Sequence, residues 1–205
     1  MIIYRIKQSA TFRDYAQCTI TGNWRITREK QCCGEYLSEL TPPTIAQWIP
    51  GSDTLGDFTW SGMIPLCQNR VKDFLKNNGF HCTFSPVRFE QYDGHAGRSV
   101  KNLPLVEHPY KGPLFYRVKA KDLLIPNTER TPRHLFRTCG RCGKNIYKAM
   151  TSDIHIDSCN WKGEGIFRFK ENPRSQHMFV TEEAKHSFEQ AEFSNITFIE
   201  AGRIV

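Results

Sequence analysis

Ile64-Pro65-Leu66-Cys67-Gln68-Asn69-Arg70-Val71-Lys72-Asp73-Phe74-Leu75-Lys76-Asn77-Asn78-Gly79 is the stretch on which the fold class turns. Ile64, Cys67, Val71, Phe74 and Leu75 recur at spacings of three or four, the period of a helix with one apolar face. Pro65 suits a first-turn position, and Asn77-Asn78-Gly79 supplies a stop. The spacing predicts a helix over about 64–78 that buries Val71, Phe74 and Leu75. Phe80 to Phe89 then reads as a strand interrupted by Pro86. A second helix-then-strand pair lies near the other end. Thr181 can cap a helix over about 181–191 with Ala184, Phe188 and Ala191 on its apolar face, and Asn195 to Ile199 follows as a strand. Each helix is expected to pack on the strand after it. The likeness of the two pairs suggests an internal repeat, although one pair of units is thin support.

Outside these pairs, Ile2 to Lys7 reads as a strand, and Cys18 to Ile26 as another broken at Gly22. Leu40 to Gly51 holds Pro42, Pro43 and Pro50 and reads mainly as loop. Asp57 to Gly62 is a short aromatic element, residues 92–113 a long glycine- and proline-bearing connection, and Leu114 to Val118 a strand. Ile125 to Arg133 is a polar loop. The expected class is α+β, mainly antiparallel strands with two or more short helices, in one domain over residues 1–205 with a zinc knuckle at 139–143.

The chain has 205 residues, enough for a sizeable core, and 12% aromatics including 14 phenylalanines. No apolar run is long enough to span a bilayer. Ile2 to Lys7 alternates and is too short for a signal-peptide core, so the expected location is cytoplasmic. The eight cysteines (Cys18, Cys32, Cys33, Cys67, Cys82, Cys139, Cys142 and Cys159) are then expected as thiols or metal ligands rather than disulfides. Cys67 and Cys82 read as buried small hydrophobes. Net charge is +7 and the pI is near 9.0. The basic residues are scattered, with no run of five, which reads as a solvated basic surface rather than a nucleic-acid footprint.

Cys139-Gly140-Arg141-Cys142-Gly143 is the sharpest motif. A Cys-x-x-Cys-Gly turn can present two thiolates on one side of a tight loop, with backbone N–H groups aimed at the sulfurs. Gln31-Cys32-Cys33-Gly34 lies far upstream and could supply further ligands. Three readings stay open. Structural zinc would use Cys139, Cys142 and Cys33, with Cys32, a histidine such as His134 or another cysteine as fourth ligand. A redox dithiol would need a helix after the motif, and Lys144 to Lys148 has no clear helical period. A relict site would leave cysteines that merely pack, and Lys30, where a symmetrical first motif would begin, favours that reading. Asp153, His155 and Asp157 would share one face of a strand, a pattern that solvated polarity explains as well as metal binding. Glu182-Glu183 suits a helix N-terminus. Gly94 to Arg98 has no following helix to make it a phosphate loop. There is no P-loop, dinucleotide fingerprint, nucleophile elbow or His-Glu-x-x-His.

The order of these pieces resembles the double-CxxCG motif proteins of myxobacteria, which include Sit-type immunity proteins. The matching pieces are Cys33-Gly34, Gly56 to Trp60, the helix ending at Gly79, and Cys139 to Gly143. Phe167-Arg168, Thr181-Glu182 and Ile196-Thr197-Phe198 complete the series. The likeness runs from about residue 20 onward and departs from the family at Lys30. It implies an immunity protein, not an enzyme, that binds a cognate bacterial toxin at about 1:1 and occludes its active site, with Cys33, Cys139 and Cys142 as candidate zinc ligands. Two other classes remain: a zinc-ribbon-type nucleic-acid-binding protein, and an enzyme that reverses a toxin's modification. A nucleic-acid or membrane partner is not expected.

Overall fold

In the computed structural model, which describes residues 1–9, 11, 13–27, 37–94, 103–143, 145–170 and 176–205, strands dominate. The elements run β1 (Ile2–Lys7), β2 (Gln17–Thr27), β3 (Leu37–Ile49), β4 (Phe58–Ser61), β5 (Ile64–Gln68), α1 (Asn69–Asn77), β6 (Cys82–Glu90) and β7 (Phe115–Ala120). They continue as β8 (Leu123–Leu124), β9 (Leu135–Thr138), β10 (Asn145–Tyr147), β11 (Ile154–Ile156), β12 (Ile166–Phe169), β13 (Phe179–Thr181), α2 (Glu182–Gln190) and β14 (Thr197–Ile204). The expected α+β class is therefore wrong. The protein is mostly β, and the two α-helices have nine residues each among the described residues.

Two six-stranded sheets form, in the orders β2-β3-β6-β7-β5-β4 and β11-β14-β1-β13-β12-β8; β9 and β10 make a separate hairpin. Each six-stranded sheet curls toward closure. In the first, the Ile20 N–H donates to Ser61 Oγ (3.0 Å) and the Thr59 hydroxyl to the Ala16 carbonyl (2.7 Å), drawing β2 toward β4. In the second, the chain after β8 returns to β11, where the Asn127 N–H donates to the His155 carbonyl (2.8 Å).

The class was misread because two kinds of strand hide in this sequence. Pro42 and Pro43 lie inside β3, in the register shift between the Trp24–Leu40 and Gly22–Ile45 pairs, and β6 pairs with β3 only from Thr44 onward. An irregular step of this kind needs no ladder N–H from either proline. Pro86 sits where β6 passes from its partner β7 to its partner β3. The predicted helix over 64–78 begins only at Asn69. Its first part is β5, which lies between β4 and β7 and buries Pro65, Leu66 and Cys67 in succession. A strand buried on both faces carries no period of its own, so Ile64 and Cys67 fell by chance on the helical spacing. Within α1, Val71 and Leu75 are buried and Phe74 is half-buried. The second helix matches its expected span closely, with Thr181 Oγ1 accepting from the Ala184 N–H (3.3 Å) and Phe188 buried.

The two sheets contain the same unit. In one, β3-β4-β5-α1-β6-β7 places β7 between β5 and β6, antiparallel to both, with β3 parallel to β6. In the other, β11-β12-β13-α2-β14 repeats that path with β11 parallel to β14, and β1 takes the place of β7 between β13 and β14. Registers and contacts agree. Tyr116 pairs with Cys67 and Pro86, and Tyr4 with Val180 and Glu200. Lys72 Nζ lies 3.9 Å from the Tyr116 ring centre, and Lys185 Nζ lies 5.0 Å from that of Tyr4. Each helix ends on a left-handed residue, Gly79 (φ 71°) and Glu192 (φ 52°), followed by Phe80 and Phe193. Both central strands carry one pattern, Ile3-Tyr4-Arg5-Ile6-Lys7 and Phe115-Tyr116-Arg117-Val118-Lys119. The helix-and-strand likeness seen in sequence is thus part of a larger duplication, in which the N-terminal strand completes the second copy.

The helices of both copies pack into one core with Ile6, Phe58, Trp60, Val118, Ile166 and Val180. Asp57 stitches the copies together: its Oδ2 accepts from the N–H and the hydroxyl of Ser194 (both 2.9 Å), and its carboxylate meets Arg70 (3.2 Å). Asn195 Nδ2 donates to the Phe58 carbonyl (2.9 Å), and Trp60 Nε1 donates to the Asn195 carbonyl (3.1 Å).

His177, just before β13, is held neutral by burial and then by the Arg5 charge, which push its pKa down to about 4. The unfolded chain takes up this proton near pH 6.5 and the native state only near 4, so the contribution is complete above 6.5 and is lost as pH falls toward 4. We expect on the order of 2 kcal/mol of stability to disappear across that window. Urea titrations of wild type and His177→Phe at pH 7 and pH 4.5 check this; equal acid losses in both would remove His177 as the cause.

Candidate functional site

The Cys-x-x-Cys-Gly motif forms the turn of the β9–β10 hairpin. The Gly143 N–H donates to the Cys139 carbonyl (2.9 Å), and Gly143 has φ 71°, a conformation that glycine adopts without the Cβ penalty. Cys139 is half-buried and Cys142 exposed. This turn geometry suits half of a tetrahedral thiolate site. Cys32 and Cys33 lie outside the described residues, in the connection between β2 and β3, so the full ligand set proposed from sequence is not brought together among the described residues. No group of three or more His, Cys, Asp or Glu side chains that could hold a metal occurs among them.

The other sequence candidates have structural roles. Asp157 accepts from Asn127 Nδ2 (3.0 Å), the His155 backbone N–H donates to Thr131 Oγ1 (3.0 Å), and Asp153 takes a left-handed turn conformation. His134 is exposed, and its carbonyl accepts from the Lys148 N–H at the hairpin base (2.9 Å). Glu182 and Glu183 occupy the first turn of α2. Gly94 is described, but residues 95–98 of the glycine-bearing stretch are not. Cys67 is buried in β5, where burial pushes its thiol pKa up.

The hairpin stands apart in its exposure. Leu135 and Phe136 on β9 are 50% and 63% exposed, and Tyr147 on β10 is 41% exposed. Arg133 stacks over the Tyr147 ring at 4.7 Å, and Arg137 and Arg141 flank the turn. A two-stranded hairpin with both faces in water has little to stabilise it, and clustered aromatic, leucine and arginine side chains are the composition of a binding surface.

A smaller recess of about 250 Å³ contains His81, Asp122, Lys162 and Glu164, with His81 Nδ1 3.3 Å from the Asp122 carboxylate. That pairing could orient an imidazole as a base, but no serine, threonine or cysteine lines the recess among the described residues for it to activate. The neighbouring Cys82 is kept protonated: burial first, then Asp122, push its pKa up to about 12.

The feature that sequence reasoning missed is a cleft of about 500 Å³ between the sheets, lined by Arg117, Lys119, Lys121, Arg168, Thr83 and Ser85 together with the proline-bearing part of β3. The three basic residues from 117 to 121 alternate along β7 and beyond its end, so they share a face, while Arg168 enters from β12 in the other sheet. Arg168 is only 8% exposed. Its Nε donates to the Ala120 carbonyl (2.8 Å), and no carboxylate lies within ion-pair distance of it among the described residues. Burial lowers its pKa. Removing a guanidinium from water without a counter-charge costs several kcal/mol.

No helix among the described residues is long and apolar enough to cross a membrane. Compared with known protein families and curated proteins, the sequence matches no family model and no curated protein.

Proposed function

We propose that this is a cytoplasmic immunity protein that neutralises a cognate bacterial toxin by binding it at about 1:1, without chemistry of its own, and that the β9–β10 hairpin is the element that docks. The observation that carries the reading is the exposure of Leu135, Phe136 and Tyr147 on a hairpin that also carries Arg133, Arg137 and Arg141. Exposed aromatic and arginine side chains on one projecting element fit an acidic, anion-handling cleft on a toxin, which is where occlusion must occur. A structural zinc bound by Cys139 and Cys142, with Cys33 and Cys32 from the chain between β2 and β3, would tie the hairpin to the first copy. Zinc would supply rigidity there and no reaction step.

Neutralising a catalytic toxin demands nanomolar binding, about −12 kcal/mol. Co-expression with the neighbouring toxin should yield a stable complex on size exclusion, with toxin activity titrated to zero near equimolar ratio. Phe136→Asp should weaken binding roughly 100-fold while leaving the melting curve unchanged, as loss of a central anchor does. Protection at a small fraction of the toxin concentration, or with no complex formed, would favour the modification-reversing enzyme. Metal analysis of chelator-free protein should find one zinc per chain that is lost in Cys139→Ser/Cys142→Ser; a metal-free wild type would leave the relict reading.

A further inference from the structure

We propose that a recess at the end of the first sheet is a binding site for a small alkylammonium cation that carries a hydroxyl, the choline class of ligand. The site is separate from the docking hairpin and does not depend on it. It holds about 220 Å³, and its lining includes Trp48 near the end of β3, Glu90 and Tyr92 at and just beyond the end of β6, and residues 105–108. Sites for drug-sized ligands run to roughly 300–1,000 Å³, so the guest here is small.

Two polar atoms of the lining residues have no partner. Trp48 is 3% exposed, and its indole N–H is buried and donates to nothing. The Tyr92 hydroxyl is also buried and makes no hydrogen bond. Buried indole and phenol groups normally find partners, and an unpaired one is costly. Two such atoms on one recess mark a place where a guest supplies what the chain does not. An indole N–H can only donate, so the guest must bring an acceptor; the phenol can pair with the same oxygen. Residues 105–108 belong to no strand or helix, so a small shift of that stretch admits the oxygen to both atoms.

The rest of the lining selects a cation. The chain has a net charge of +7, yet no lysine or arginine lines this recess among the described residues. Glu90 is already engaged by Arg88 (2.8 Å). That leaves Glu107, which is exposed and in no ion pair among the described residues, to face a single positive charge. Trp48 stacks on Phe89 with ring centres 4.2 Å apart and meets Tyr110 at 5.6 Å, and Tyr92 brings a further ring to the lining. Aromatic rings beside a carboxylate attract alkylated ammonium groups, which have few or no N–H donors to satisfy. A guanidinium or a bare ammonium would present several donors where one carboxylate is unpaired. A phosphate on the guest would be repelled by Glu107.

The test is an NMR titration of the full chain that follows the Trp48 indole N–H. We expect choline to bind saturably at millimolar concentration or below and to move that resonance downfield as the N–H gains its acceptor. Tetramethylammonium lacks the hydroxyl and 3,3-dimethyl-1-butanol lacks the charge; each should bind about ten-fold more weakly, and phosphocholine should not bind. Tyr92→Phe should weaken choline several-fold without lowering the melting temperature of the ligand-free protein, because an unpaired buried hydroxyl lends the fold nothing. A hydroxyl with a merely structural role would lower it. Glu107→Gln, at an exposed position, should weaken choline about ten-fold with the fold unaltered, and Glu129→Gln should change nothing. The proposal is overturned if choline leaves the Trp48 indole resonance in place, if the uncharged analogue or phosphocholine binds as tightly as choline, or if Tyr92→Phe and Glu107→Gln bind like wild type. If Tyr92→Phe fails to fold, Glu107→Gln decides alone.

Discussion

Replacing Gly202 by alanine will break the contact between β11 and β14 and cost about 4 kcal/mol or more. Gly202 has φ 153°, a backbone region that L side chains rarely adopt, and it pairs with Ile154 on one side and Ile3 on the other. An added Cβ would fall on the Ile154 carbonyl oxygen and within 2.6 Å of two further backbone atoms of that residue. Backbone cannot swing aside as a lysine tip can. β11 is also held in place: the Val205 N–H donates to the Ile156 carbonyl (2.9 Å), the Ser158 N–H to the Val205 carbonyl (2.6 Å), and Thr131 bridges to His155. Steric conflict and backbone strain therefore add, and the melting temperature should fall on the order of 10 °C. Gly62→Ala is the control, because Gly62 is also left-handed (φ 59°) but a Cβ there meets nothing within 4 Å; it should cost only about 1 kcal/mol. Similar melting points for the two variants would show that the close approach at Ile154 is not rigid.

Phe188→Ala should cost about 3–5 kcal/mol, the range for emptying an aromatic site in a packed core. Phe188 is 2% exposed. Its ring centre lies 5.1 Å from that of Phe74, 6.0 Å from Phe193, 5.8 Å from Phe198 and 6.1 Å from Phe80. These neighbours come from both copies, so the cavity cannot close by a shift of one element, and the edge-to-face contacts are lost with the ring. Phe188→Leu keeps most of the volume and should cost under about 1.5 kcal/mol. Denaturant unfolding of both variants checks this; a small alanine effect would mean that the helices close over the gap. In the first copy the matching position is Leu75, where Leu75→Ala should cost about 2–5 kcal/mol.

Local chemistry was legible where one element decided it. Ile2–Lys7, the α2 cap at Thr181, and the Gly143 turn follow from neighbours along the chain. The class was not legible, because Pro42, Pro43 and Pro86 are placed by which partner strand needs a backbone N–H, and that is a property of pairing. The duplication was written in the sequence as Tyr4-Arg5-Ile6-Lys7 and Tyr116-Arg117-Val118-Lys119, but comparing helix-and-strand units in chain order hid it: the second copy takes its central strand from the opposite end. The cleft had no linear signature. Its basic residues read as scattered because Arg168 and the β7 cations meet only when the two sheets pack.

The borrowed position of β1 also sets an order in time. On the ribosome the first copy can pair its strands once residue 120 has emerged, since its partners lie between β2 and β7. β1 is made before all of them yet must wait for β13 and β14, about 180 residues later. At roughly 5–20 residues per second that delay is about 10–40 s, during which a strand with apolar Ile3 and Ile6 has no native neighbour. Pairings so distant in sequence also slow refolding. A nascent chain of this protein should therefore hold one finished barrel-like sheet and one waiting strand, and trigger-type chaperones that shield short apolar segments would have their longest opportunity at its first ten residues.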